Sequence, residues 1–359
     1  MTYNISYKNY FICYFIMEII KYNEVSKRKR NLISLSIFKI KDPYRTFEKY
    51  TNYLNNLLKY LSPIIASYDF DARIYFDDSC HKELQPLIIR FKNIEFYKFN
   101  YPPLRIGEFH DGTFGSLVRL LPIFEIYYEY IWIDDIDIPP KNIDFKYLDF
   151  IYSHKVKTVF FSLFCYQRPW IKDNYNMNFP LITNIKLLKH IFMRFITDLA
   201  NNKFESDVKE IIKYRSDRYV YDYPVKHPYG MDEYFTNYII YDKLTKNDKT
   251  YILYEVNIVR ILKKVYYMDI SNYEKEIIKK LIELQELNFK THDKDINRNI
   301  IDTFIKLFNK LKKEKLKEYI GSDYEKGCLE EFYNFIEQYN MTDINSIKLF
   351  VKLKNYKII

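Results

Sequence analysis

The sequence predicts an α/β fold: a mostly parallel central sheet followed by a helical C-terminal appendage. Three observations carry this. Between residues 31 and 138, short apolar runs without helical spacing alternate with amphipathic helical spacings, the order that builds parallel neighbours. Several of those runs end directly in acidic or polar residues, as strands of such sheets do where they meet a ligand. Beyond about Lys263 proline disappears, and Lys, Glu, Ile and Leu take over at helical spacings. At 359 residues the chain exceeds one ordinary domain of about 100–200 residues. The reading is therefore an N-terminal segment over 1–29, an α/β domain over 30–262 and a helical region over 263–359.

The first strand is Asn31 to Ile40, apolar and β-branched. Asp42-Pro43 starts a helix whose Phe47, Tyr50, Leu54, Leu57, Leu58 and Leu61 recur every three or four residues until Ser62-Pro63 stops it. Arg73 to Phe76 reads as a strand ending in Asp77-Asp78-Ser79, Pro86 to Phe91 as a helix, and Ile94 to Phe99 as a third strand. The loop Gly107-Glu108-Phe109-His110-Asp111-Gly112-Thr113 holds two of only six glycines, so its backbone is expected to turn tightly or approach something closely. Asp111 or Thr113 is expected to cap the following helix, Phe114 to Leu121. A strand then runs from Tyr130 into Asp134-Asp135-Ile136-Asp137. Further on come a helix near Lys146, a strand at Val156 to Leu163, a helix over Ile185 to Leu199 and a strand at Tyr219 to Val225. A turn at His227-Pro228-Tyr229-Gly230 starts a helix through Phe235 and Leu244.

Composition narrows the classes. With 48% hydrophobic and 29% charged residues the chain is neither disordered nor fibrous. Lys and Arg number 56 against 47 Asp and Glu, a +9 balance spread along the chain with both signs mixed. The Lys-rich stretch Lys312 to Glu318 alternates its charges as a solvated helix face does, so no nucleic-acid partner is expected. Cys13, Cys80, Cys165 and Cys328 form no C-x-x-C pair, which argues against a zinc site and fits a reducing compartment. No apolar run reaches the roughly 18 residues of a membrane-spanning helix. A soluble, cytoplasmic protein with no integral membrane segment is the expectation.

The strongest chemical signal is Asp135-Ile136-Asp137 after a buried strand. If strand alternation persists there, Asp135 and Asp137 share a face and Asp134 points away. Two adjacent carboxylates repel unless a cation lies between them, and Mg²⁺ or Mn²⁺ prefers oxygen ligands while leaving positions open for phosphate oxygens. An inert acidic turn is the alternative.

The segment Gly115-Ser116-Leu117-Val118-Arg119-Leu120-Leu121-Pro122, then Tyr130 to Ile138, resembles the GT-A fold glycosyltransferases, in particular the retaining group related to glycogenin and bacterial galactosyltransferases. It is also similar to glycosyltransferase-like proteins of large DNA viruses, which would place the chain in a host cytoplasm or a virion. His227-Pro228-Tyr229-Gly230 is similar to the His-x-x-Gly element of that family, although Met231-Asp232-Glu233 stands where those relatives carry Lys-Pro-Trp. The resemblance implies a Rossmann-like nucleotide-sugar-binding domain that moves a hexose from a UDP-sugar to a hydroxyl of a glycan or protein, with retention. It implies that Asp135, Asp137 and His227 hold Mn²⁺ or Mg²⁺, that Arg119, Ser116 and Asp134 contact the donor, and that Asp232 or Glu233 positions or deprotonates the acceptor. Two other readings remain: a catalytically silent binding module on the same fold, and a phosphotransferase of the haloacid-dehalogenase type.

Overall fold

In the computed structural model the described residues are 17–23, 29–41, 68–136, 146–163, 177–214, 221, 223–255 and 348–352. Scattered helical positions between 52 and 65 and between 272 and 279 are described as well. The chain divides into two compact units, Met1–Asp149 with Ile182–Thr236, and Phe150–Leu181 with Asn237–Ile359.

In the first unit, β2 (Asn31–Ile37) and β3 (Phe70–Phe76) are buried along their whole length. β2 is mostly apolar, as strands covered on both faces are, whereas β3 buries Asp71 and Arg73 as well, the latter paired with Glu95 on the neighbouring strand at 3.0 Å, and only its 73–76 stretch reads as a strand in the sequence. β3 lies parallel to β2 on one side and to β4 (Ile94–Asn100) on the other. The short β7 (Ile131–Ile133) lies parallel to the other edge of β2. β1 (Glu18–Lys21) pairs antiparallel with the outer edge of β4. From β2 the chain therefore steps outward to β3 and β4, then returns to the opposite side as β7. Such a reversal opens a crevice beyond the carboxyl ends of the two central strands. Those ends are Phe38 after β2 and Asp134 after β7.

Side chains fasten the layers over this sheet. Helical residues between 52 and 65 bury Leu54, Leu57, Leu58, Leu61 and Ile65. Helix α1 (His81–Arg90) starts five residues earlier than expected and continues through Pro86. A 3₁₀ turn at Asp78–Cys80 leads into it, and Asp77 caps that turn by accepting from the Ser79 amide at 3.2 Å. Helix α2 (Phe114–Val118) brings Gly115 against the Phe38 ring, so close that a Cβ there would collide with it. Helix α4 (Lys189–Ala200), four residues shorter at its start than expected, buries Phe192, Phe195, Ile196 and Leu199 at helical spacing. Each such side chain contributes roughly 1.5–3 kcal/mol of burial. Phe192 and Phe195 meet Phe235 with ring centroids 5.9 and 4.7 Å apart.

In the second unit β8 (Thr158–Leu163) runs parallel to β10 (Thr250–Glu255), and β11 (Lys348–Lys352) pairs antiparallel with β10. The Thr158 hydroxyl donates to the Leu244 carbonyl at 3.0 Å. Helix α3 (Lys146–Ser153) and strand β9 (Asn178–Thr183) each span a boundary between the units in sequence.

The secondary-structure expectations need correction at several places. The first strand ends at Ile37 rather than Ile40, and the helix from Phe114 ends at Val118 rather than Leu121, where a 3₁₀ turn over Leu121–Phe124 follows. Residues 221 and 223–225 are irregular rather than a strand: the Tyr221 hydroxyl accepts from the Tyr229 amide at 3.0 Å, and Tyr223 and the 226–227 backbone bond to the remote 107–113 loop described below. β1, the short strands β5 (Arg105–Ile106) and β6 (Phe109–His110), β9, β10 and helix α5 (Glu205–Tyr214) are not foreseen. The 263–359 region is not wholly helical, since 348–352 form a strand; its expected helices fall largely outside the described residues. Among the described residues no helix is long and apolar enough to cross a membrane.

Candidate functional site

At the carboxyl end of β7 the chain stops being a strand at Ile133, and the side chain of Asp134 is the reason. Its Oδ1 accepts from the Asp135 amide at 2.8 Å and its Oδ2 from the Trp132 indole N–H at 3.2 Å. An aspartate that bonds the next backbone N–H competes with the ladder and ends it. The alternation expected to put Asp135 and Asp137 on one face therefore does not extend past Ile133, and Asp137 itself lies outside the described residues. Asp134 is buried, and desolvation, then repulsion from Asp135, pushes its carboxyl up to about 7.

Arg119 caps the carboxyl end of α2, and its carbonyl accepts the hydroxyl of Ser34 on β2 at 2.7 Å. That bond fixes the stem while the guanidinium reaches three groups. Nη1 donates to Asp135 Oδ1 and, at 3.3 Å, to the Asp134 carbonyl. Nη2 donates to Asp232 Oδ2 at 3.1 Å. The arginine is thus a buried cation between a partly exposed carboxylate, Asp135 at 41%, and a nearly buried one, Asp232 at 11%. Burial opposes its charge, but Asp135 and Asp232 outweigh that, and Arg119 stays above its ordinary range.

Asp232 comes from helix α6 (Met231–Tyr234), entered through Gly230 in the left-handed region at φ 101°. Glu233 is buried beside it. Immediately upstream, His227 is wholly buried, and desolvation drives its imidazole down to about 3, so the ring is neutral. Its backbone is gripped from the 107–113 loop. Asp111 Oδ1 accepts from the amides of Lys226 and His227 at 2.8 and 2.7 Å, and the Thr113 amide donates to the His227 carbonyl at 2.9 Å. Gly112, at φ 51°, lets that carbonyl approach where a Cβ would collide, and its amide donates to the Tyr223 hydroxyl at 3.0 Å. Asp111 and Thr113 were expected to cap α2; neither does. Their groups are spent on the 226–228 turn, a partner no local pattern announces.

The structure brings Arg119, Asp134, Asp135 and Asp232 together and holds His227 on the segment leading to Asp232. Ser116 is directed elsewhere: its hydroxyl donates to the Thr113 carbonyl at 2.7 Å, inside the first turn of its own helix. Asp77 is buried and accepts from Ser79 and His110, the latter at 2.9 Å. His110 Nε2 accepts from the Tyr101 amide at 3.1 Å, so its Nδ1 carries the proton given to Asp77. Ser34 and Trp132 are site residues the sequence reading missed. Among the described residues no three His, Cys, Asp or Glu side chains gather as a metal-holding group. No protein-family model matches the sequence, and neither does any curated protein.

Proposed function

We propose that the chain is a metal-dependent glycosyltransferase of the GT-A type, moving a hexose from a UDP-sugar to a hydroxyl of a glycan or protein, with retention. One observation carries the reading: a buried arginine clamped between Asp135 and Asp232 where the strand order reverses. An arginine fork pairs with a diphosphate in the same planar manner as with carboxylates and keeps its charge throughout. Low dielectric around Arg119 strengthens that attraction over its value in water.

The donor set partly suits a divalent cation. Asp135 supplies carboxylate oxygen, and the buried His227 ring has its Nε2 without a hydrogen-bond partner among the described residues. Asp135 and His227, with Asp137 completing the carboxylate pair, would hold Mn²⁺ or Mg²⁺. When bound, the cation would act as a Lewis acid that neutralises charge on the leaving diphosphate. Arg119 would share that task and, through Nη2, keeps Asp232 oriented. Asp232 or Glu233 would take the proton from the acceptor hydroxyl or hold that hydroxyl in place. Such an enzyme would work in the cytoplasm on nucleotide-sugars made there.

The test is the double variant Asp135→Asn with Asp137→Asn, assayed for turnover of the donor the wild type accepts. Turnover should vanish while the fold, read by circular dichroism, persists; near-wild-type activity would overturn the site.

A further inference from the structure

We propose that Thr113 is a positioning residue that fixes His227 as its Nδ1–H tautomer, leaving Nε2 as a bare lone-pair donor. The argument is one of proton counting. Thr113 Oγ1 stands 3.2 Å from the Pro228 carbonyl oxygen and 3.3 Å from His227 Nδ1. The single hydroxyl proton can go to the Pro228 carbonyl, which also accepts from the Met231 amide at 3.1 Å, or to Nδ1; the second choice would put the ring hydrogen on Nε2, where no described residue receives it, so the proton goes to Pro228. Toward His227 the hydroxyl then offers only lone pairs, and Nδ1 must carry the hydrogen and donate it. The ring is buried with Phe114 packed edge-on at 5.7 Å, so it holds one proton rather than two. Nε2 is thereby deprotonated, and it has no hydrogen-bond partner among the described residues. The opposite tautomer would bury an N–H with nothing to receive it.

The backbone that carries the ring is held as well. With Asp111 on the amides of 226 and 227, and Thr113 on the carbonyl of 227, the main chain of His227 cannot shift without breaking three hydrogen bonds. Thr113 acts twice, once through its amide and once through its hydroxyl. That Nε2 serves a divalent cation rests on the proposed function; the tautomer does not.

The experiment is a multiple-bond ¹H–¹⁵N correlation spectrum of the full chain labelled with ¹⁵N-histidine. Six histidines are present, and His227 is assigned by the signals lost in His227→Gln. Wild type and Thr113→Ser should both show His227 wholly as Nδ1–H, and Thr113→Val should show a mixture or the Nε2–H form. An Nε2–H ring in the wild type, or an unchanged tautomer in Thr113→Val, overturns the inference. Should Thr113→Val fail to fold, Thr113→Ser decides: loss of the Nδ1–H form with the hydroxyl retained also overturns it. Mn²⁺ is then titrated into the same samples. Broadening of the His227 signals should require about 10–100-fold more Mn²⁺ in Thr113→Val, the usual cost of losing a group that orients a ligand. If the tautomers behave as stated and Mn²⁺ leaves His227 untouched, the metal part of the proposed function fails while the role of Thr113 stands.

Discussion

Gly112 and Gly107 form a matched pair for testing how the 107–113 loop controls His227. Both sit in the left-handed region, at φ 51° and 65°. Any Cβ-bearing residue there costs roughly 1–2 kcal/mol in backbone strain. At Gly107 a Cβ meets no heavy atom within 4 Å, so Gly107→Ala should lose only that strain. At Gly112 the same methyl would lie inside contact distance of the His227 carbonyl and of Val225 Cγ2. Relief of such overpacking costs about 1–3 kcal/mol more. Gly112→Ala should therefore lose about 2–5 kcal/mol in all. At about 2–4 °C per kcal/mol for a domain of 150–250 residues, that is a fall in Tm of roughly 4–20 °C. The assay is thermal unfolding of the two variants side by side, followed by the His227 tautomer measurement on Gly112→Ala. Equal Tm values for the two variants would refute the claim that the Gly112 backbone is wedged against His227.

Arg119→Met removes the cation between two carboxylates. Breaking a buried pair costs about 3–5 kcal/mol, and because Asp135 can turn to water the loss should fall near the lower figure, read as a reduced urea midpoint; a midpoint equal to wild type would contradict the burial of the pair. Asp134 supplies a pH dependence. Its folded carboxyl is raised to about 7 against an ordinary 3.8, so the proton it prefers to keep is lost as pH rises, and ionised burial costs stability progressively from about pH 4 to pH 7. In metal-free protein, wild type should therefore lose stability across that window relative to Asp134→Asn. The comparison removes any constant cost of the Asn, whose amide cannot accept from both Trp132 and Asp135. Parallel stability curves for the two proteins would show that Asp134 does not titrate there.

The parts legible in the sequence share a physical cause. β2 and β7 are largely apolar because helices and neighbouring segments cover them, and the Asp134-Asp135 pair is visible because it ends such a run. β1 escaped notice because it is an exposed edge, with Ile20 49% accessible, and so has no buried face to impose a pattern. Asp111 was read as a cap because the residue types that cap helices are those that seize a remote backbone amide. The contact from Arg119 to Asp232 spans 113 residues and that from Thr113 to His227 spans 114, distances over which no periodicity operates. Burial of Asp134 ran against the ordinary expectation for a carboxylate, and only the indole N–H of Trp132, two residues earlier, hints at a partner.

The most direct test is to incubate the purified full chain with a panel of UDP- and GDP-sugars and Mn²⁺, with and without chelator, while measuring released nucleoside diphosphate and donor-induced thermal shifts. The account predicts that one UDP-sugar stabilises the protein and releases UDP only when Mn²⁺ is present, and that Arg119→Met abolishes both effects. Absence of release and of any thermal shift across every donor would contradict it.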